Sequence, residues 1–429
     1  MRVSTEQIFR AGSESMQRAQ AELSRTGQQL STGKRILSPS DDPAGATQSA
    51  QFREIIQSIE QFQRNADLAQ PRLQQEEWAI AGVTDQLQRV RELVIQGAND
   101  SQTDETRGFM AREVREIRDA IFDVANTKDP NSEYLFAGTK SLATPFEIDG
   151  DGVVSYTGAE GNGSVREIAM TSLRNVAIGD NGADVFMNIR ENDGRVSADV
   201  IRADNGAIPR GSVVIEKTEV SDLGVFLDGD NAVDSFEISF LDNAGTVQYQ
   251  VERFGPNGAS NGVELGPTDY SPGSPVEFAG RSLVLSGTPR LPNAGGAGNP
   301  SDIVTSRPAE NVSLFHTLDA IATALETPVG GPSSRADLTN AVNRGLTDLD
   351  ASFNHLSDIR ATVGTRLQVI DSQTELNEGR KLDLRSTLSE LEDLDYAEAI
   401  SRFKFQQVAL EAAQQSYVQT NRLSLFNFL

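Results

Sequence analysis

Several residue types on which enzymes and metalloproteins rely are missing or scarce in this chain of 429 residues. It contains no cysteine and only two histidines, His316 and His355. The lack of cysteine excludes disulfides, thiolate nucleophiles, zinc ribbons and iron–sulfur clusters, and two histidines cannot form a three-histidine metal centre. There is no run of about 18 apolar residues, and the first residues lack the apolar stretch of a signal peptide. The sequence therefore predicts no resident cofactor, no metal and no membrane-spanning helix.

Positive charge is also in short supply. The chain has 38 basic and 62 acidic side chains, which gives a net charge of −24. Binding to nucleic acid requires cations that displace the counterions of the phosphates, and adsorption to anionic lipid requires them as well. We therefore expect neither nucleic acid nor membrane as a partner. The composition predicts a soluble acidic protein of about three domains with little catalytic equipment.

Glycine divides the chain into a centre and two ends. Residues 131–304 hold 24 of the 36 glycines, and the same stretch carries 11 basic and 25 acidic side chains, a net charge of −14. The two ends are closer to neutral. They show helical spacing, whereas the centre has short β-branched and aromatic runs separated by Asp–Gly and Asn-containing turns. The predicted strands are Val213–Ile215, Ser235–Leu241, Val247–Phe254 and Ser282–Leu285, and the prolines of 255–300 predict loops there.

The N-terminal part has a heptad pattern from Phe9 to Leu37, typical of a helix that buries one narrow stripe against a partner. Glycine, alanine and threonine fill half of this stripe, so we expect the helix to be marginal by itself. Two further helices are predicted over about 46–98 and 104–127. Pro71 is expected to interrupt or kink the first of these, and Trp78 is expected in the core.

The C-terminal part mirrors this arrangement. A helical pattern begins near Leu338, and large apolar residues later repeat every seven positions at Phe403, Leu410 and Tyr417. Ile400 and Phe428 are assigned to the same face, and the amides Gln407, Gln414 and Asn421 to the alternate positions of the stripe. The last 35 residues carry three acidic and three basic groups. A neutral helix of this kind suits packing against other helices.

Candidate chemical sites are weak. Asp149–Gly150 and Asp228–Gly229 resemble calcium loops, but neither has the oxygen ligand required at position 5, so hairpin turns are favoured. Glu76 and Glu77 are adjacent on a predicted helix and diverge, which favours a solvated face over an acid–base pair. The two histidines are expected at the surface or at a helix cap.

The segment 38–46 predicts a rigid loop between two helices. Pro39 and Pro43 keep the residues before them out of the helical region. Asp41 or Asp42 is expected to cap the next helix, with Pro43 at its first position.

Three segments of the chain resemble the flagellin superfamily. They are Leu30–Ile36 (LSTGKRI) followed by the proline-rich loop, Leu87–Leu93 (LQRVREL), and Asp395–Glu398 (DYAE) with the tail to Leu429. Both ends match in the right order, over about half of the chain. Tyr134–Thr139 (YLFAGT) with Pro145–Phe146, and the ending LSLFNFL, resemble the hook–filament junction branch of the superfamily more than the filament flagellins.

This resemblance implies a mainly α fold with a β insert, arranged in concentric layers. A terminal helical coiled coil would consist of 1–45 and 388–429, a helical-bundle core with a β-hairpin of 46–180 and 305–387, and an inserted all-β outer domain of 181–304. Family members are disordered at both ends as monomers and fold on assembly. The small residues of the N-terminal stripe agree with that behaviour.

The implied function is that of a structural adapter of the bacterial flagellum, outside the cell, and not of an enzyme. The implied partners are hook-associated protein 1, flagellin, further copies of the chain in a ring, and a cytosolic export chaperone. Export would use the flagellar type III channel without a cleaved signal peptide. Two alternatives remain open, a minor flagellin that polymerises into the filament and an enzyme with its activity in 181–304.

The residues assigned to function fall into three sets. Assembly contacts are predicted at Phe9, Met16, Leu23, Leu30, Phe403, Leu410, Tyr417 and Phe428. The inter-domain loop is defined by Pro39, Asp41, Asp42 and Pro43. In flagellins, positions that match Arg89, Leu93 and Glu113 contact a host innate immune receptor, and packing between helices is the favoured alternative role here.

Overall fold

The computed structural model of the chain describes residues 5–161, 163–202, 211–292 and 302–426. Long helices dominate both ends, and strands dominate the middle, which confirms the predicted fold class. The helices are α1 Thr5–Thr32, α2 Pro43–Gly97, α3 Asp104–Ala125, α4 Leu223–Phe226, α5 Leu314–Glu326, α6 Pro332–Glu392 and α7 Tyr396–Phe426. The predicted helix over 46–98 is confirmed as α2, but it runs through Pro71 without a break.

The described residues form two compact units. The terminal unit takes both ends of the chain, up to Asp67 and from Ile370, together with Ala169–Arg174. The middle unit comprises Leu68–Ile168 and Asn175–Val369. The boundaries between the units fall inside α2 and α6 rather than at helix ends, so the five segments expected from the sequence stay a prediction.

The core of the middle unit lies among α2, α3, α5 and the first part of α6. The apolar residues of α2 at helical spacing, from Ile80 to Val94, are fully buried, as predicted. Phe136 and Phe146, from the segment after α3, join them, with ring centroids 5.1 and 5.6 Å from that of Phe186. Edge-to-face rings at such distances add to the stabilisation from apolar burial.

Fourteen strands lie within the described residues. They are β1 Phe146–Ile148, β2 Val154–Tyr156, β3 Glu167–Ala169, β4 Asn175–Ala177, β5 Ile189–Arg190, β6 Val196–Ile201, β7 Val214–Val220, β8 Ser235–Asn243, β9 Thr246–Phe254, β10 Ser260–Asp269, β11 Pro275–Phe278, β12 Arg281–Ser286, β13 Ile303–Pro308 and β14 Asn311–Val312. β1 and β2 form the expected hairpin, whose turn is stabilised by Asp149 accepting hydrogen bonds from the N–H groups of Asp151 and Val153.

The larger strands build two antiparallel sheets. One has the order β10-β9-β8-β13-β6 and the other the order β11-β12-β7. Alternate residues of β8, among them Phe236, Ile238 and Phe240, are fully buried in the core that these strands share. Since a strand presents successive side chains to opposite faces, this alternation is what places one face of the sheet in the core.

Two expectations from the sequence are wrong in this part of the molecule. The proline-rich stretch 255–300 is expected to form loops, but it contains the strands β10 and β11. Pro267 and Pro275 are accommodated because these strands lie at the edges of the two sheets, where a missing N–H is tolerated. Trp78 is 69% exposed rather than in the core.

No helix within the described ranges is both long and apolar enough to cross a membrane.

Candidate functional site

The two chain ends pair as antiparallel helices, α1 with α7. The positions of three glycines in and just after α1 fix the register. A Cβ atom at Gly12 would lie 3.2 Å from the ring of Tyr417, one at Gly27 would lie 3.5 Å from the ring of Phe403, and one at Gly33 would lie 2.8 Å from the hydroxyl of Tyr396. Moving forward along α1 therefore matches moving backward along α7 by the same number of residues, to within one residue.

This register pairs small residues with large ones. On the contact side of α1, small and large residues alternate, and all of those with described side chains are at least half-buried. Extending this register would bring Met16 and Leu23 near Ala413 and Gln406, and Ala19 near Leu410; all six are half-buried. The glycines of the heptad stripe are therefore the positions that receive the large side chains of α7, and they are not gaps in the stripe.

The predicted assembly contacts fall mainly within this pair. Six of them are half-buried, namely Met16, Leu23, Leu30, Phe403, Leu410 and Tyr417. The side chain of Phe9 and the whole of Phe428 lie outside the described residues.

The predicted alternate positions on α7 are wrong. Gln407 and Gln414 are exposed, and so is Ile400 at 44%. The half-buried positions that alternate with Phe403, Leu410 and Tyr417 are instead those of Gln406 and Ala413, one residue earlier. The third amide of the prediction, Asn421, has no described side chain.

A short junction joins the end of α1 to the break between α6 and α7. Gly33 has a φ of +69°, a left-handed conformation that favours glycine and ends the helix. The N–H of Leu394 donates to the Gly33 carbonyl at 2.9 Å, and the N–H of Arg35 donates to the carbonyl of Glu392. Asp395 then caps α7, since its carboxylate accepts from the N–H of Ala397. The LSTGKRI and DYAE segments thus meet at this junction.

Glu392 is the electrostatic centre of the junction. Its side chain is 8% exposed and lies 2.5 Å from the Arg53 guanidinium and 3.2 Å from the Lys34 ammonium. Burial by itself would raise the pKa of Glu392, but the hydrogen bonds from Arg53 and Lys34 outweigh it and lower the pKa. The carboxylate is therefore charged at neutral pH and ties both chain ends to α2.

The loop that contains Pro39 connects the junction to α2, and its two aspartates have different roles. Asp42 accepts a hydrogen bond from the N–H of Gly45 at 2.9 Å, which lowers its pKa and makes it the cap of α2, with Pro43 as first helical residue. Asp41 instead accepts from two backbone N–H groups within the loop and lies 2.7 Å from the guanidinium of Arg25. Both aspartates hold the loop, and only one caps the helix.

The solvent side of α7 carries apolar residues that the sequence analysis missed. Phe405 is 76% exposed and Val408 is 64% exposed, and Ala412 follows at the next helical step. We call these three residues the outer face of α7. Their spacing of three and four residues is a helical pattern in the sequence. It is not predicted as a face because the seven-residue repeat of Phe403, Leu410 and Tyr417 is the stronger pattern on the same helix.

The three residues expected at a receptor lie in the middle unit. Arg89 and Glu113 are exposed and form an ion pair with 2.8 Å between Nε and Oε1, which helps to raise the pKa of Arg89. Leu93 is 2% exposed and lies in the hydrophobic core. The receptor contact stays a prediction.

The expectation that Glu76 lies on a solvated face is wrong. Its side chain is buried, and its Oε1 accepts a hydrogen bond from the N–H of Asp180 at 2.8 Å, while Oε2 has no hydrogen-bond partner among the described residues. Burial, followed by repulsion from the Asp180 carboxylate, raises the pKa of Glu76 to about 8, against the effect of Arg366 and Arg72. Glu77, its neighbour, pairs with Arg360.

Comparisons with known proteins agree with this geometry. The family model of the bacterial flagellin N-terminal helical region matches residues 3–141, and that of the C-terminal helical region matches residues 346–429. A flagellin of Bacillus subtilis is 29% identical over 215 residues, which cover 50% of this chain and 62% of that protein. The matched regions contain α1, the junction and α7.

A second group of similar proteins spans the whole chain. Flagellar hook-associated protein 3 of Salmonella typhimurium is 24% identical over 430 residues, 99% of each chain. The crystal structure of flagellar hook associated protein-3 from Legionella pneumophila has a TM-score of 0.68 at 27% identity and covers 80% of this chain and 98% of that one. The chain belongs to the bacterial flagellin family and, within it, to the group of hook-associated protein 3.

Proposed function

We propose that this chain joins the hook to the filament of the bacterial flagellum by assembling through its paired terminal helices. Its neighbours would be hook-associated protein 1 on the hook side, flagellin on the filament side, and copies of itself in a ring. The similarity to hook-associated protein 3 over the full length supports a junction role. Similarity to a filament flagellin extends over half of the chain, which makes a minor flagellin the less favoured alternative.

The observation that carries the proposal is the outer face of α7. The same helix buries one side against α1 and exposes Phe405 and Val408 on the other. Large apolar side chains aligned on one helix face are typical of a surface that a partner covers. A ring of copies would place such faces against one another, so that assembly buries what the monomer exposes.

Export precedes assembly in the proposed sequence of events. The chain would pass unfolded through the flagellar export channel, with a cytosolic chaperone covering the C-terminal helix. The absence of cysteine supports this, because no disulfide forms that would obstruct a narrow channel.

Deletion of the gene in its own host tests the function. We expect hooks without filaments by electron microscopy, with flagellin shed into the medium, and restoration of filaments by the intact gene on a plasmid. Normal filaments in the deletion strain would contradict the adapter role. Filaments that polymerise from the purified chain alone would instead favour the minor flagellin.

A further inference from the structure

The two β-sheets leave a groove between them that the assembly function does not use. β6 is the last strand of the five-stranded sheet and β7 the last strand of the three-stranded one. Ser197–Val200 and Glu216–Glu219 line opposite sides of a groove of about 940 Å³, with residues of α5 and α6 in its lining. We call it the edge groove. It lies wholly within the middle unit.

At one end of the edge groove, side chains make the hydrogen bonds to the backbone that a neighbouring strand would otherwise make. The guanidinium of Arg202 donates to the carbonyls of Gly211 and Val213, both at 2.8 Å. The amide of Asn340 accepts from the N–H of Ile215 at 2.8 Å, and Asn343 donates to the Ile215 carbonyl at 3.0 Å. Amide groups from α6 thus already bond the outer edge of β7 where it begins.

Beyond Ile215, neither the outer edge of β6 nor that of β7 is paired with a further strand in the described structure. Every second residue of an edge strand directs its backbone N–H and C=O groups away from its own sheet. Four residues on each side give an open length of about 13 Å. An extended peptide segment of about four residues fits this length and would add a strand, as in other β-augmentation sites.

The charge of the lining selects the kind of peptide. Among the described lining residues there are nine carboxylates against three basic groups, Lys217, Arg307 and Arg344, which pair with Glu219, Glu191 and Asp199. Asp337 and Asp350 pair with arginines outside the lining, and the carboxylates of the groove still outnumber all of these cations. The apolar part of the lining includes Ile321 and Leu346. A bound strand that alternates basic and apolar side chains would direct its basic side chains to the carboxylates and its apolar side chains to the apolar part of the lining, because successive side chains point to opposite faces.

We propose that the edge groove binds an extended, basic peptide segment of another protein as an added β-strand. The backbone hydrogen bonds would supply affinity, and the carboxylates would select for lysine and arginine. This interaction is independent of α1 and α7, so it is compatible with a chain that is already assembled through its ends.

The test uses the purified full-length chain and a fluorescein-labelled probe peptide, Lys-Val-Lys-Val-Lys-Val-Lys, in a fluorescence polarisation titration. We expect saturable binding that weakens at least fivefold between 50 and 300 mM salt (roughly, for several charge contacts). A peptide of the same sequence with alternate backbone nitrogens methylated on its bonding edge should bind at least about tenfold more weakly, since it cannot pair with a strand edge. Equal binding of the two peptides, or no binding, would overturn the proposal.

A matched pair of variants locates the binding. Glu219 on β7 and Glu277 on β11 lie opposite the same residue of β12, Ser282, from its two sides. Glu219→Lys places a repelling charge in the groove and should weaken probe binding several-fold, whereas Glu277→Lys makes the same change outside it and should not. Equal effects of the two changes, or displacement of the probe by spermidine at equal charge concentration, would reduce the binding to non-specific attraction and reject the groove.

Discussion

The two glycines Gly12 and Gly27 have a structural role that their small size in the sequence pattern does not suggest. In the sequence, Gly12 weakens the heptad stripe, and Gly27 lies beside the stripe, directly after Thr26. In the structure each lies against an aromatic ring of α7. A Cβ at Gly12 would be tight against Tyr417, whereas one at Gly27 would make an ordinary contact with Phe403. The stripe could be predicted from spacing, but the complementary shape could not, because it depends on which residue of a distant segment lies opposite.

Glu76 is the residue whose environment departs most from expectation, and it gives a prediction of pH dependence. Its pKa is raised from 4.5 to about 8 in the folded chain, mainly by burial. Between these values the folded chain holds a proton that the unfolded chain releases, so stability falls as pH rises and the loss is complete above about pH 8. We expect Glu76→Gln to remove this dependence of stability on pH. The free energy of unfolding of the variant minus that of the wild type should therefore increase by about 1 kcal/mol per pH unit.

Urea denaturation followed by circular dichroism from about pH 5 to 8 measures this difference. Glu77→Gln is the control, because it removes a carboxyl from the same turn of α2 that lies partly exposed beside Arg360. Parallel pH profiles for the wild type and Glu76→Gln would show that the buried carboxyl does not hold the extra proton.

At the scale of elements, the pairing of α1 with α7 depends on where the helices end. Gly33 ends α1 in a left-handed conformation, and Asp395 restarts the helix after the break that follows α6. Backbone hydrogen bonds join the two breaks. The helix ends therefore set the register, and the heptad stripes then pack in that register.

Pairs of introduced cysteines test this register. Because the chain has no native cysteine, no other thiol can take part in the cross-linking. We expect the double variant Gly27→Cys with Phe403→Cys to be cross-linked within one chain by a short thiol-reactive linker, which takes the place of the Phe403 ring between the two Cβ atoms. These positions face each other, with 3.5 Å between a Cβ at residue 27 and the ring of Phe403. Migration on non-reducing gels, in purified chain and in intact flagella, measures the extent of cross-linking.

The control pair is Gly12→Cys with Phe403→Cys. It shifts one partner by 15 residues, about 22 Å along the helix, which a short linker cannot span. The matched pair should cross-link at least about tenfold faster than this one, given that difference in distance. Equal rates, or dimers between chains only, would rule out the antiparallel register.

At the scale of the whole molecule, the proposed assembly depends on the side of α7 that faces away from α1. We expect Phe405→Ser with Val408→Ser to abolish filament formation in the deletion strain while the chain is still exported. The reason is that these substitutions remove apolar area from the outer face and leave the α1 contacts of Phe403 and Leu410 unchanged. Electron microscopy of hooks and immunoblots of the culture medium provide the measurement.

Gln407→Ser with Gln414→Ser is the matched control, since both side chains are exposed and polar on the same helix. It should support normal filaments. If the Phe405 and Val408 variant supported them equally well, the outer face would have no part in assembly, and the contacts between copies would have to lie elsewhere.

The sequence by itself determined the helical ends, the β insert, four of the fourteen described strands and the family, because these depend on local spacing, turn chemistry and short motifs. It also identified the loop with Asp41 and Asp42, although not which of the two caps α2. Only the tertiary structure decided that Glu76 is buried, that Trp78 is exposed and that the stripe of α7 is completed by Gln406 and Ala413. Burial and pairing are set by residues far apart in the chain, and no local pattern contains them.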